Sequence, residues 1–255
     1  IPFMRSAAQK EQPFFTIVWF HTPHLPVVAG PEYARMYADE DKYTQHYRGC
    51  ITAMDEQVGR LRTELRAMGV ANNTLVTFCS DNGPEGKAGS APGSAGHLNG
   101  RKRDLLEGGI RVPGLIEWPG KIRPGNTTMP AVTSDYLPTI LDLIGAKPVV
   151  DRPLDGISLR PLFQGAMKNR GESIGFESAG QVALIGDRFK LWGRAGDKQV
   201  DKLPPLKLFD LVNDPSEKTN IAAQHPEVLA RMILELKAWR ASVQTSDRGV
   251  DYPAK

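Results

Sequence analysis

The chain of 255 residues is 40% hydrophobic and 24% charged, which suits a folded protein with a real core as one large domain or two smaller ones. Its 32 basic and 29 acidic residues are interleaved to a net charge of +3, so no basic stripe points to nucleic acid or an anionic membrane. No apolar stretch approaches the roughly 20 residues that span a bilayer, and Cys50 and Cys79 are too few for a disulfide framework and lack the spacing of a zinc or redox pair.

Residues 1–12 show neither the basic start nor the apolar run of a signal peptide, and the sequence opens abruptly, as though more preceded it. Phe14-Phe-Thr-Ile-Val-Trp-Phe20 is continuously apolar and rich in β-branched and aromatic residues, which predicts a strand covered on both faces. His21 and His24 follow it, in a turn stiffened by Pro23 and Pro26. Over residues 44–68, Ile51, Met54, Val58, Leu61, Leu65 and Met68 recur at steps of three and four, which predicts a helix with one apolar face, closed by Gly69. The apolar run up to Cys79 reads as the next strand, so strand, helix and strand together predict a parallel crossover. Cys50 and Cys79 read as small buried hydrophobes.

Ser80-Asp81-Asn82-Gly83 comes directly after that strand. Ligands of open α/β sheets collect beyond the carboxyl ends of strands, and Asp81 and Asn82 offer the oxygen donors that calcium or magnesium prefer. Residues 81–104 are polar and glycine-rich, too long for an ordinary connection and therefore a candidate functional loop. Gly100-Arg-Lys102-Arg-Asp-Leu-Leu-Glu107-Gly-Gly-Ile-Arg111-Val-Pro113 gathers four cations and three glycines, a combination suited to a tetrahedral anion. Neither a P-loop nor a dinucleotide fingerprint is present, which disfavours nucleotide binding.

Residues 112–118 predict a short strand, and Ser134 is expected to cap a helix that contains Tyr136, Leu137, Ile140, Leu141 and Ile144 and ends at Gly145. The character changes past Phe163, which puts a boundary between a region 1–165 of α/β pattern and a smaller α+β region 166–255. In the latter, residues 181–185, 189–192 and 206–211 predict a small antiparallel sheet. A terminal helix opened by His225-Pro226 covers it with Val228, Leu229, Met232, Ile233, Leu236 and Trp239.

The order of these segments is more specific than any one of them. The apolar run into His21-Thr-Pro-His24, the strand end Ser80-Asp-Asn-Gly83, the Gly100 to Pro113 segment and Trp118-Pro-Gly120 resemble the sulfatase family of the alkaline-phosphatase-like superfamily. So do Asp135-Tyr-Leu-Pro-Thr-Ile-Leu-Asp-Leu-Ile-Gly145, Leu154-Asp-Gly-Ile-Ser158 and Leu208-Phe-Asp-Leu-Val-Asn-Asp-Pro-Ser-Glu217. The resemblance runs from about residue 13 to 243. It implies an α/β fold, part of a mixed or parallel sheet flanked by helices, with the small antiparallel sheet and its helix behind it.

It also implies roles. Asp81 and Asn82 match late calcium ligands, Lys102 the lysine that contacts the sulfate and neutralises the leaving oxygen, and His21 the histidine that protonates the departing alcohol. His24 and His97 are implied substrate contacts, and residues 84–99 an implied determinant of specificity. The family's Asp-Asp pair and its C-x-P-S-R motif, whose cysteine becomes formylglycine, do not occur: Cys50 precedes Ile-Thr-Ala-Met and Cys79 precedes Ser-Asp-Asn-Gly. The chain therefore reads as the C-terminal part of a sulfatase, inactive alone, whose complete form hydrolyses sulfate esters on a small molecule or carbohydrate. The implied partner is the N-terminal part of the same enzyme, and the implied setting periplasmic, secreted or lysosomal. The alternatives are a non-catalytic module of the same fold that binds sulfated glycan or a partner, and a phosphate-ester or phosphonate hydrolase of the superfamily.

Overall fold

The computed structural model describes residues 1–87, 89–148, 152–195 and 203–252. In chain order the helices and strands are α1 (Pro2–Gln9), α2 (Pro31–Arg35), α3 (Lys42–Ala67), β1 (Val76–Cys79), α4 (Glu107–Ile110), β2 (Gly114–Glu117), α5 (Tyr136–Ile144) and α6 (Arg160–Phe163). They continue with β3 (Ile174–Ser178), β4 (Gln181–Ile185), β5 (Phe189–Arg194), β6 (Leu206–Asp210) and α7 (Pro226–Asp247). Two compact units divide them: the first holds residues 1–80, 84–94 and 113–123, the second residues 81–83, 95–112 and 124–255. Among the described residues no helix is long and apolar enough to cross a membrane.

In the first unit α3 is the longest helix, as its apolar periodicity predicts. Asp41 caps it by accepting from the amides of Tyr43 and Thr44 at 2.9 and 3.2 Å, and Gly69 follows its end at φ +72°. The apolar stripe is uneven, with Leu65 buried, Ile51 exposed and the other four positions half-buried. Gly49 lets α3 approach α2, since a Cβ there would stand 2.9 Å from Ala29 Cβ and 3.1 Å from the Ala34 amide nitrogen. Arg62 of α3 makes a paired ion bridge to Glu117 of β2 at 2.6 and 2.9 Å, and Arg5 of α1 reaches Glu64 at 2.6 Å.

Two expectations fail in this unit. Residues 14–20 form no strand, and Phe15, Ile17 and Trp19 are 67%, 62% and 88% exposed. A strand exists only where a neighbour completes its ladder, and none of the described strands pairs with this run. The parallel crossover fails with it: β1 instead pairs antiparallel with β2, from Val76 opposite Glu117 to Cys79 opposite Gly114.

In the second unit β3, β4, β5 and β6 form an antiparallel sheet in sequence order. Alternation along the strands separates its two faces. Val182 and Leu184 of β4, Leu191 of β5 and Leu208 of β6 meet Met232 and Leu236 of α7, and Val228, Leu229, Ile233 and Trp239 pack around them. All six apolar positions expected on the terminal helix thus belong to one core. The opposite face carries Gln181, Lys190 and Arg194.

α5 spans the expected residues and ends at Gly145 with φ +67°, but Ser134 does not cap it. A short 3₁₀ turn over Thr133–Asp135 precedes the helix, and there the Asp135 carboxylate accepts from the Val132 amide at 2.9 Å. Asp135 also accepts from the Ile157 amide at 2.9 Å and from Arg170 at 2.6 and 2.8 Å, with both side chains of that ion pair fully buried.

Candidate functional site

The first segment of the site leaves β1 at Cys79 and turns through Asp81, which is exposed, and Asn82, which is half-buried. Asn82 Nδ2 donates to the Gly83 carbonyl at 2.9 Å, which identifies the other amide atom, Oδ1, as the oxygen of this side chain. The Gly83 amide donates to the Gly109 carbonyl at 2.8 Å, and a Cβ on Gly83 would lie 1.9 Å from the Gly108 carbonyl oxygen. Only glycine permits this approach of two backbones.

The second segment, residues 99–111, folds back on itself. Gly100 adopts φ +81°, the Gly108 amide donates to the Asn99 carbonyl at 2.6 Å, and a Cβ on Gly109 would stand 2.1 Å from the Asp104 carbonyl oxygen. Lys102 is half-buried within this loop. The strand-end turn with Asp81 and Asn82 is therefore fastened to Gly108 and Gly109, and these in turn to the backbone that carries Lys102.

Beneath the loop lies a charged cluster that the sequence reading missed. Lys190 of β5, wholly buried, stands 2.9 Å from Glu107 Oε1 and 2.8 Å from Glu217 Oε1. Glu217 Oε2 accepts from the Glu107 amide at 2.6 Å. Burial pushes the Glu217 carboxyl above the usual carboxylate range, while the charge of Lys190 opposes that rise. The available signal was the alternation of Phe189-Lys-Leu-Trp192, which places Lys190 on the face opposite Leu191.

His97, also in the second unit, is exposed just after Gly96, which has φ +64°. In the first unit His21 and His24 are both exposed and their ring centroids stand 5.4 Å apart. The His24 amide donates to the His21 carbonyl at 2.8 Å. His24 Nδ1 donates to the Leu25 carbonyl at 2.8 Å, which leaves Nε2 as the accepting nitrogen of that ring. Residues 84–99 contain neither helix nor strand, save that Ala88 lies outside the described residues.

Among the described residues no group of three or more His, Cys, Asp and Glu side chains could hold a metal ion. Asp81 and the Asn82 amide oxygen are nevertheless hard oxygen donors of the kind calcium takes, two of the six to eight it needs. They fit one side of such a site. Cys50 packs against Ala29 and Ala34, where burial pushes its thiol above the usual range, an environment that suppresses the nucleophilic thiolate. Cys79 is only half-buried, less enclosed than its apolar strand suggested.

The family model described as Sulfatase matches residues 2–146. The chain is similar to arylsulfatase A of Homo sapiens, with 34% identity over 252 residues that cover 89% of this chain and 48% of the relative. A sulfatase of Formosa agariphila is 28% identical over 272 residues, 94% of this chain and 48% of the relative. The solved structure "Ps i-CgsB in complex with k-i-k-neocarrahexaose" superposes with a TM-score of 0.83 at 29% identity over 94% of this chain and 53% of that one. The chain thus spans about half the length of the curated relatives it matches. From the strand-end Asp81-Asn82 turn to the Lys102 loop, its chemistry-bearing segments lie within the matched residues, and the chain belongs to the sulfatase family.

Proposed function

We propose that this chain supplies the leaving-group side of a sulfatase site that hydrolyses sulfate esters on a carbohydrate, in an extracytoplasmic compartment. The observation that carries this reading is the backbone continuity of the second unit. The Gly83–Gly109 and Gly108–Asn99 hydrogen bonds, at 2.8 and 2.6 Å, join the oxygen donors Asp81 and Asn82 to the loop that bears Lys102. A cation-binding turn and a lysine on one rigid frame suit an anionic ester. The name of the human relative supports sulfate as the anion, and the oligosaccharide in the superposed structure supports a sugar as the alcohol.

When the S–O bond breaks, its electron pair departs on the alcohol oxygen. The Lys102 ammonium stabilises that developing negative charge by position and electrostatics, as in phosphoryl transfer. His21 in its protonated form donates a proton to the departing oxygen. His24 and His97 contact substrate. Asp81 and Asn82 would hold calcium, which draws negative charge from the sulfate oxygens when bound. The nucleophile, formylglycine in this family, comes from a C-x-P-S-R segment that these 255 residues do not contain.

The experiment is a comparison of an aryl sulfate with the matching aryl phosphate in the enzyme that contains this chain. Faster turnover of the sulfate is expected, and faster turnover of the phosphate would move the reading to the phosphate-ester branch of the superfamily. For the metal, calorimetric titration of this chain with calcium should show a Kd no tighter than about 10⁻⁴–10⁻³ M, because only two of the required oxygens are present. The weak signal should vanish in Asp81→Ala. Stoichiometric micromolar binding would show that the chain completes the site unaided.

A further inference from the structure

Gln181 opens β4 on the sheet face opposite α7, is 2% exposed, and uses both ends of its amide on the Lys102 loop. Oε1 accepts from the Leu105 amide at 3.1 Å, and Nε2 donates to the Arg103 carbonyl at 2.8 Å. Arg103, the residue directly after Lys102, stands at φ +78°, a conformation that costs any side-chain-bearing residue. Within the loop the Asp104 amide closes a turn on the Arg101 carbonyl at 2.9 Å, and the hydrogen bond from Gln181 fixes the Arg103 carbonyl from outside it.

The grip extends around Lys102. Arg194, the cross-strand partner of Gln181, pairs with the Asp104 carboxylate, whose other oxygen accepts from the Arg101 amide at 3.1 Å. Directly opposed residues on antiparallel strands project to the same face, so this end of β4 and β5 holds Arg103, Asp104 and Leu105 directly and Arg101 through Asp104. Only an uncharged amide serves the central position, because it presents one donor and one acceptor together. A carboxylate would face the Arg103 carbonyl with no proton to give.

We propose that Gln181 is a positioning residue for sulfate-ester cleavage, acting through Lys102. By holding Arg103 in the left-handed conformation it sets where the lysine ammonium stands relative to the departing oxygen. This rests on the reading of Lys102 as the leaving-group cation. The C-terminal sheet then contributes to catalysis without touching substrate.

The test compares Gln181→Met, Gln181→Glu, Lys102→Ala and the combined Lys102→Ala/Gln181→Met in the enzyme that contains this chain. Gln181→Met keeps the side-chain length without hydrogen bonds and should lower kcat by about 10–100-fold with KM within about twofold, as misplacement of a catalytic group does. The combined variant should be no slower than Lys102→Ala alone. In amide exchange on the chain itself, Leu105 should exchange faster in Gln181→Met but stay protected in Gln181→Glu, which retains the acceptor. Gln181→Glu should still lose kcat, since its effect falls on Arg103. Wild-type kcat in either Gln181 variant, additive losses in the combined variant, or unchanged Leu105 exchange in Gln181→Met would overturn the proposal. Full turnover in Lys102→Ala would instead overturn the reading beneath it. Should Gln181→Met fail to fold, the kcat and Leu105 exchange of Gln181→Glu decide the matter alone.

Discussion

Lys102→Ala is expected to lower turnover of sulfate esters by about 10²–10³-fold in the enzyme that contains this chain, the usual loss when one group that stabilises developing charge is removed. The lysine sits in a loop stapled at Gly100, Gly108 and Gly109, so in the proposed role its ammonium would act without reorganising the backbone. The loss should depend on the leaving group. Alkyl sulfates, whose alkoxides carry more charge at the transition state, should suffer more than aryl sulfates, whose phenolates already delocalise it. Steady-state kcat for a series of sulfate esters measures this dependence. A loss equal for every leaving group, or seen only in KM, would place Lys102 in ground-state binding instead.

Asp135→Ala is expected to destabilise the second unit by about 3–5 kcal/mol, the cost of stranding one member of a buried ion pair. Asp135 and Arg170 are both sealed from solvent, and the aspartate also satisfies the amides of Val132 and Ile157. Alanine would leave a buried guanidinium and two amides unpaired at once. Against a total stability of about 5–15 kcal/mol this is a large share, and urea unfolding would report it as a lowered midpoint. Replacing both partners, as Asp135→Leu with Arg170→Met, should recover much of the loss because no charge is then left uncompensated. A shift below about 1 kcal/mol for Asp135→Ala would mean that water reaches Arg170.

The failed strand at 14–20 and the failed crossover share a cause with the missed roles of Lys190 and Glu217. The run 14–20 has the composition of a buried strand, yet composition supplies no ladder partner, and the segment stands exposed. The parallel crossover depended on that strand. Lys190 and Glu217 went unassigned because a lysine in a short strand and a glutamate in a loop look like solvent-facing charges. Their partner Glu107 is 83 residues from Lys190 and 110 from Glu217 in the chain. By contrast, α3, α5 and α7 were legible, since a helix makes its hydrogen bonds within itself and shows its core face at a fixed period.

The sequence sufficed for the family, for α3, α5 and α7, for three of the four strands of the C-terminal sheet, and for the candidates Asp81, Asn82 and Lys102. The helices and strands are written in residues a few positions apart, while the family and the roles of its candidates came from the resemblance carried by the order of segments along the chain. What the folded protein added is the frame: Gly83 against Gly108, Gln181 under Arg103, Lys190 between Glu107 and Glu217, and Asp135 with Arg170. These contacts join segments that are distant in the chain and depend on burial and backbone approach, which no spacing in the sequence encodes.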